Sequence, residues 1–239
     1  MRNYVVKEYQ PHPIDYTHWS SSIALFGCSC VYGLHLDPKD QLHNVIDNWR
    51  PVNNFAYPGE SNWHIWMKVI DAIRTHGMPE RICIGWTSPY RIAMYNEGSP
   101  AQRSVLPIGH WTKPDFTTAK IGKDWVLNMK MTQEEYSKLI VDSVELICGD
   151  KLTQWTLFHN LKDVKEGPGK SEWNQAIFDR AEQQSGMFTS ETIDSSNQNI
   201  TPIEFTDRAS DGNHPGPETV KQMAKMIERH FPKMVEKRL

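Results

Sequence analysis

Short unbroken apolar runs alternate along this chain with longer stretches whose apolar residues recur at helical spacing. Ser22-Ile23-Ala24-Leu25-Phe26, closed by Gly27, reads as a buried strand. Asn53-Asn54-Phe55-Ala56 is a weaker strand broken by Pro58-Gly59, and Arg81-Ile82-Cys83-Ile84-Gly85-Trp86 is a third. Gln154 to Phe158 predicts a fourth, and Ile203-Glu204-Phe205 a short fifth. Between the second and third, Ser61 or Asn62 caps a helix that carries Ile65, Trp66, Val69, Ile70 and Ile73. Thr132 to Cys148 predicts the clearest helix, with Glu135 three residues past the Thr132 cap. Its inward face would hold Tyr136, Leu139, Ile140, Val144 and Ile147. A last helix follows Pro215-Gly216-Pro217, with Val220, Met223, Met226, Ile227 and Phe231 inward.

Strands alternating with helices predict an α/β fold with a mostly parallel sheet of about five strands, covered on both faces. Two polar stretches, 95–131 and 160–201, break the alternation and read as insertions or lids. Residues 1–21, with Tyr4, Tyr9, Tyr16 and Trp19 among prolines, read as an arm lying across the body. We read residues 1–239 as one domain, since 239 residues at 38% hydrophobic content suffice for one substantial core.

A net charge of -3 leaves no footprint for nucleic acid, and the basic C-terminal stretch is interleaved with Glu218, Glu228 and Glu236. No signal-like leader and no membrane-spanning run is visible, so a cytoplasmic setting is expected, with virion association as an alternative. Cys28, Cys30, Cys83 and Cys148 lack zinc-like spacing, and Cys83 and Cys148 read as buried thiols. His35, His64, His110 and His159 show no metal spacing either and stay unassigned. The expectation is no metal and no organic cofactor.

The chemistry concentrates at two places. Ser29 follows the first strand in Phe26-Gly27-Cys28-Ser29, and Asp211-Gly212-Asn213-His214 lies near the far end. A serine hydroxyl becomes nucleophilic when an imidazole takes its proton, and a carboxylate fixes that imidazole's tautomer and orientation. Ser29, Gly59, the Trp86-Thr87-Ser88 turn and the Asp211–His214 loop all follow strands directly. In an open parallel sheet, that edge is where sites form. Plain structural roles compete for each residue: Ser29 as a turn or cap, Asp211 as the turn residue of Asp-Gly, His214 as a helix-leading residue, Gly59 as a turn glycine. Asn62 is either a cap or a substrate contact, and Arg91 either holds an anionic substrate group or forms a surface ion pair. Strand alternation points Cys28 and Cys30 away from the direction of Ser29. Trp111 and Trp125, in an insertion, offer surfaces on which a sugar ring can stack.

These residues resemble the SGNH, or GDSL-like, hydrolase superfamily. Gly27-Cys28-Ser29 is similar to its nucleophile motif, Gly59 within Gly59-Glu60-Ser61-Asn62 to its oxyanion glycine, and Asp211-Gly212-Asn213-His214-Pro215 to its Asp-x-x-His motif. The spelling is similar to a branch found in bacteriophage and marine bacterial proteins, over the scaffold from about Ile23 to Met226. Two positions depart from the pattern: Cys28 stands where the family has Asp, and Gly85-Trp86-Thr87-Ser88 stands for its Gly-x-Asn-Asp. The resemblance implies a flavodoxin-like α/β/α fold and ester hydrolysis through an acyl-enzyme, with Ser29, His214 and Asp211 as triad. It implies an oxyanion held by the N–H groups of Ser29 and Gly59, with Thr87 in place of the absent asparagine. The substrate it implies is a small acyl ester, such as an O-acetyl group on a carbohydrate. Two rivals remain: a catalytically degenerate scaffold serving as a binding or virion protein, and an acyltransferase on the same residues.

Overall fold

Apolar runs become strands here because each side chain finds a helix to pack on. The computed structural model describes residues 9–87, 92–95, 105–108, 133–158, 200–212 and 214–231. The strands are β1 (Ile23–Gly27), β2 (Val52–Asn54), β3 (Arg81–Trp86), β4 (Ile92–Tyr95), β5 (Val105–Ile108), β6 (Leu152–Phe158) and β7 (Ile200–Glu204). Among the described residues the α-helices are α1 (Ser29–Tyr32), α2 (Leu42–Asp47), α3 (Asn62–His76), α4 (Gln133–Cys148) and α5 (Pro217–Glu228).

Five strands form one sheet in the order β2-β1-β3-β6-β7, every pair parallel. The chain steps from β1 outward to β2, returns to β3 on the other side of β1, and continues to β6 and β7. That is the doubly wound, flavodoxin-like order, whose switch point lies between β1 and β3. The remaining two strands, β4 and β5, pair antiparallel as a hairpin. The sequence pattern shows no strands there, only the start of an insertion. Four-residue strands, one containing Pro107, carry too little periodicity to be read without the partner that makes them strands.

Alternation along β1 sorts the core into two layers. Ala24 and Phe26 face a cluster with Ile82, Ile84 and Trp86, covered by Ile65, Val69 and Ala72 of α3 and by Ile140, Val141, Val144 and Cys148 of α4. Ile23 and Leu25 face the opposite cluster with Cys83, Trp155 and Ile203, covered by Val31, by Leu42 and Ile46 of α2, and by Val220, Met223 and Ile227 of α5. Burying each such aliphatic side chain contributes about 1.5–3 kcal/mol, so helix docking dominates over any single turn bond. The result is a three-layer α/β/α architecture.

Two details differ from the sequence reading. On α4, Leu139 and Ile147 are exposed while Val141 and Cys148 are buried, because the face packed in the core is the row Ile140, Val144 and Cys148 with Val141 beside it. On α5, Phe231 lies just beyond the helix, edge-on to Trp49 at 5.5 Å. The polar strand β2 survives because its amides are satisfied: Asn53 Nδ2 donates to Asp15 O and Ser22 Oγ, and Asn54 Oδ1 accepts from the Ala56 N–H.

The described part of the N-terminal stretch, from Tyr9 on, packs against the body. Tyr32 Oη donates to Gln10 O and Tyr57 Oη to Tyr9 O, each at 2.9 Å. Trp19 is buried, donates from Nε1 to Gly77 O at 2.9 Å and stands edge-on to Phe55. Among the described residues, no helix is long and apolar enough to cross a membrane.

Candidate active site

β1 ends at Gly27, and the chain turns through an extended Cys28 into α1, whose first residue is Ser29. Space for that turn comes from two glycines. Gly27 pairs with Gly85 across β1 and β3, and a Cβ on either would lie 2.4 or 2.5 Å from Val31 Cγ2. Their bare backbone lets Val31 sit directly on the sheet's edge, which draws α1 down and brings Ser29 to the end of β1. Ser29 is buried, and its Oγ donates to Cys28 Sγ at 3.9 Å. Among the described residues, the Ser29 N–H donates to no acceptor.

Beyond β2, Tyr57-Pro58-Gly59-Glu60 closes as a turn with the Glu60 N–H on Tyr57 O. Gly59 occupies the left-handed region at φ 86°, where proline then glycine at the central positions is the favoured pairing. The Gly59 N–H also finds no acceptor among the described residues. Glu60 is buried with Lys68 as its ion-pair partner, and its Oε2 makes no hydrogen bond among the described residues. Burial pushes its carboxyl up to about 7, against the pull of the Lys68 ammonium.

Of the two proposed caps, Ser61 caps α3: its Oγ accepts from the His64 N–H. Asn62 has another task. Its Oδ1 accepts from the Thr87 N–H at 2.9 Å and its Nδ2 donates to Thr87 O at 3.0 Å. The Thr87 N–H is thereby committed, which leaves its buried hydroxyl as the group able to donate elsewhere. Arg91, Ser88, Trp111 and Trp125 lie outside the described residues.

Asp211 and His214 form a closed dyad. Asp211 Oδ2 stands 2.6 Å from His214 Nδ1, while Oδ1 accepts from the His214 N–H at 3.2 Å. A carboxylate only accepts, so Nδ1 carries the proton and the neutral ring offers Nε2 as its base. The loop is clipped by the Ala209 N–H on His214 O and the Gly216 N–H on Asp207 O. Asp207, which the sequence reading did not single out, receives the Glu218 and Thr219 N–H groups and so caps α5. Burial opposes its charge, yet these amide bonds hold its carboxyl below the usual range. An Asp ten residues before a helix gives no local capping signal, so only the folded loop reveals it.

His35, which shows no metal spacing in the sequence, arrives beside the dyad. Its Nε2 is 3.7 Å from Asp211 Oδ2 and its ring centroid 5.4 Å from that of His214. The structure thus brings Asp211, His214 and His35 together. Among the described residues, no hydrogen bond joins Ser29 Oγ to the His214 ring.

The chain matches no protein-family model and no curated protein. Several solved structures are similar in shape. A member of the lipolytic G-D-S-L family from Veillonella parvula aligns over 91% of this chain and 99% of its own, at 12% identity and TM-score 0.43. A GDSL-like lipase from Bacteroides thetaiotaomicron aligns over 88% and 87%, at 11% identity and TM-score 0.42. A psychrotrophic esterase from Pseudoalteromonas sp., inhibited by monoethylphosphonate, aligns over 88% and 96%, at 9% identity and TM-score 0.41. Likenesses this distant carry no argument about chemistry.

Proposed function

We propose that this chain is a serine hydrolase of the SGNH type, cleaving a small acyl ester. The observation that carries the reading is the Asp211–His214 dyad, closed at 2.6 Å on a loop that follows β7. Ser29 follows β1 in the same parallel sheet, so both lie toward the carboxyl edge of the strands.

In this mechanism Ser29 Oγ attacks the ester carbonyl while His214 Nε2 takes its proton. The carbonyl oxygen becomes an oxyanion held by the N–H groups of Ser29 and Gly59 and by the Thr87 hydroxyl. The C–O bond to the leaving alcohol breaks as His214 returns the proton to that alcohol. Water then attacks the acyl-enzyme, giving its proton to His214, and the acid leaves as Ser29 recovers its hydrogen. Asp211 keeps the proton on Nδ1 throughout and stabilises the imidazolium. Asn62 acts through Thr87, whose position it sets. An acetyl ester on a carbohydrate is the substrate class we favour; the buried serine and the resemblance of its motifs support a small acyl group.

Labelling with a fluorophosphonate tests this. Stoichiometric labelling of the wild type, lost in Ser29→Ala and His214→Ala, is the expected result. A second reading takes its support from the missing Ser29–His214 hydrogen bond and the Thr87 replacement: a binding scaffold without turnover. A folded wild-type protein that takes no label decides for that scaffold. Acyl transfer to an alcohol uses the same residues, and product analysis with a competing acceptor separates it from hydrolysis.

A further inference from the structure

We propose that His35, Asp211 and His214 form a binding site for a late first-row divalent metal ion, with Zn²⁺ as the chemical type, and that its occupation switches the dyad off. One ligand atom from each of the three residues lies within 4.8 Å of the others. Asp211 Oδ2 is the shared atom, 3.7 Å from His35 Nε2 and 2.6 Å from His214 Nδ1. Ligand atoms around a tetrahedral Zn²⁺ with bonds near 2.0–2.1 Å stand about 3.3 Å apart. The His35 contact must therefore shorten slightly and the His214 contact lengthen. Two imidazoles and a carboxylate, with a fourth position open to water, suit zinc and its neighbours better than magnesium or calcium.

The site is built rather than incidental. His35 holds φ at 63°, in the left-handed region unusual for a residue with a side chain. Its carbonyl accepts from Ser210 Oγ at 3.4 Å, which ties it to the loop that carries the dyad. Among the described residues its ring makes no hydrogen bond, so its lone pair is uncommitted. The side chain is 41% exposed, against 19% for Asp211 and 18% for His214, so an ion reaches the cluster from solvent at the His35 side.

Metal binding and base catalysis exclude each other through one proton. The resting dyad needs hydrogen on His214 Nδ1, and a metal on that nitrogen needs its lone pair. In the neutral ring the proton then sits on Nε2, where it cannot accept hydrogen from Ser29. No net proton is lost; the tautomer is exchanged. The inhibitory half of this proposal rests on the hydrolase reading, whereas the binding half stands by itself.

The experiment uses the full chain without a histidine tag. Zn²⁺ is titrated by calorimetry, and Co²⁺ is followed by its visible absorption, in wild type, His35→Ala, His35→Gln, His214→Ala and His43→Ala. His43 is the control because its ring lies tilted against that of His12 with centroids 4.1 Å apart, the other close histidine pair described. One equivalent is expected in the wild type, weakened at least about tenfold by each His35 and His214 substitution and unchanged in His43→Ala. Unchanged binding in both His35 variants, binding lost in His43→Ala, or no binding at all overturns the site. Fluorophosphonate labelling with and without Zn²⁺ then reads the switch, each variant being its own reference. Labelling slowed by Zn²⁺ in the wild type, restored by a chelator and insensitive to Zn²⁺ in His35→Ala is the expected pattern. Labelling insensitive to a bound ion overturns the switch. A wild type that binds Zn²⁺ but takes no label without it removes the hydrolase reading and keeps the metal site.

Discussion

Asn62 and Thr87 exchange two hydrogen bonds, the amide oxygen accepting from the Thr87 N–H at 2.9 Å and the amide nitrogen donating to Thr87 O at 3.0 Å. A side chain thus substitutes for the next rung of the sheet just where β3 stops. Asn62→Ala leaves both backbone groups buried without partners, at about 1–3 kcal/mol each. We expect a loss of about 2–4 kcal/mol in urea unfolding with an unchanged slope, and slower fluorophosphonate labelling under native conditions. Full stability in Asn62→Ala would show that Thr87 is held by something else.

Gly85→Ala places a methyl 2.5 Å from Val31 Cγ2 and 3.1 Å from the Trp155 ring. Overpacking of this kind costs about 1–3 kcal/mol, and relief by moving α1 displaces Ser29 with it. Val31→Ala removes the opposing methyls. The double variant is expected to recover at least about 1 kcal/mol relative to additivity, and part of the labelling rate. Strict additivity in that cycle would mean the two positions do not meet.

A buried group and a half-buried one oppose each other in the response of stability to pH. Glu60 is raised to about 7 by burial, so the folded state holds a proton that the unfolded chain releases near 4.5. Its contribution to stability is therefore present in acid and is lost as pH climbs from about 4.5 to 7. His43 is lowered to about 4, first by burial and then by the neighbouring His12. The unfolded chain takes up that proton below 6.5, so this contribution is lost as pH falls from 6.5 to about 4. The Glu60 effect is on the order of 3 kcal/mol, the His43 effect is smaller because solvent screens a partly exposed ring, and they cancel in part. Melting temperatures between pH 4 and 7.5 should separate them: Glu60→Gln steepens the acid loss, and His43→Asn turns it into a gain. Parallel profiles for all three proteins would refute both assignments.

Asp207→Ala removes the carboxylate that receives the Glu218 and Thr219 N–H groups. Loss of such a cap costs about 1–2 kcal/mol, and Asp207→Asn, with one carbonyl oxygen for two N–H groups, should retain only part of it. Because the Gly216 N–H also closes on Asp207 O, the dyad's loop is tied to this residue. Hydrogen exchange of the Ala209 and Gly216 amides should accelerate in Asp207→Ala. Protection equal to wild type would confine Asp207 to helix capping.

Much of the scaffold was legible because it is local. The run Ile23–Phe26 and the periodicity of α3 and α5 each report burial through residues adjacent in sequence or one turn apart. The Asp211–His214 pair was legible for the same reason, since three residues of spacing suffice to bring carboxylate and ring together. Where the reading missed, a distant partner decided. The exposed Leu139 and Ile147 follow from how α4 lies on the sheet, and the β4–β5 hairpin exists only through pairing.

The amino-acid sequence alone determined the alternation of strands and helices, the nucleophile candidate and the dyad. Periodicity, turn chemistry and short spacing are properties of neighbouring residues. Tertiary structure alone decided that Asn62 serves Thr87 rather than capping its own helix, that Val31 seats on Gly27 and Gly85, that Asp207 caps α5 and that His35 shares Asp211 with His214. Each joins groups far apart in the chain, and only the winding of β1, β3 and β7 into one parallel sheet sets their distances.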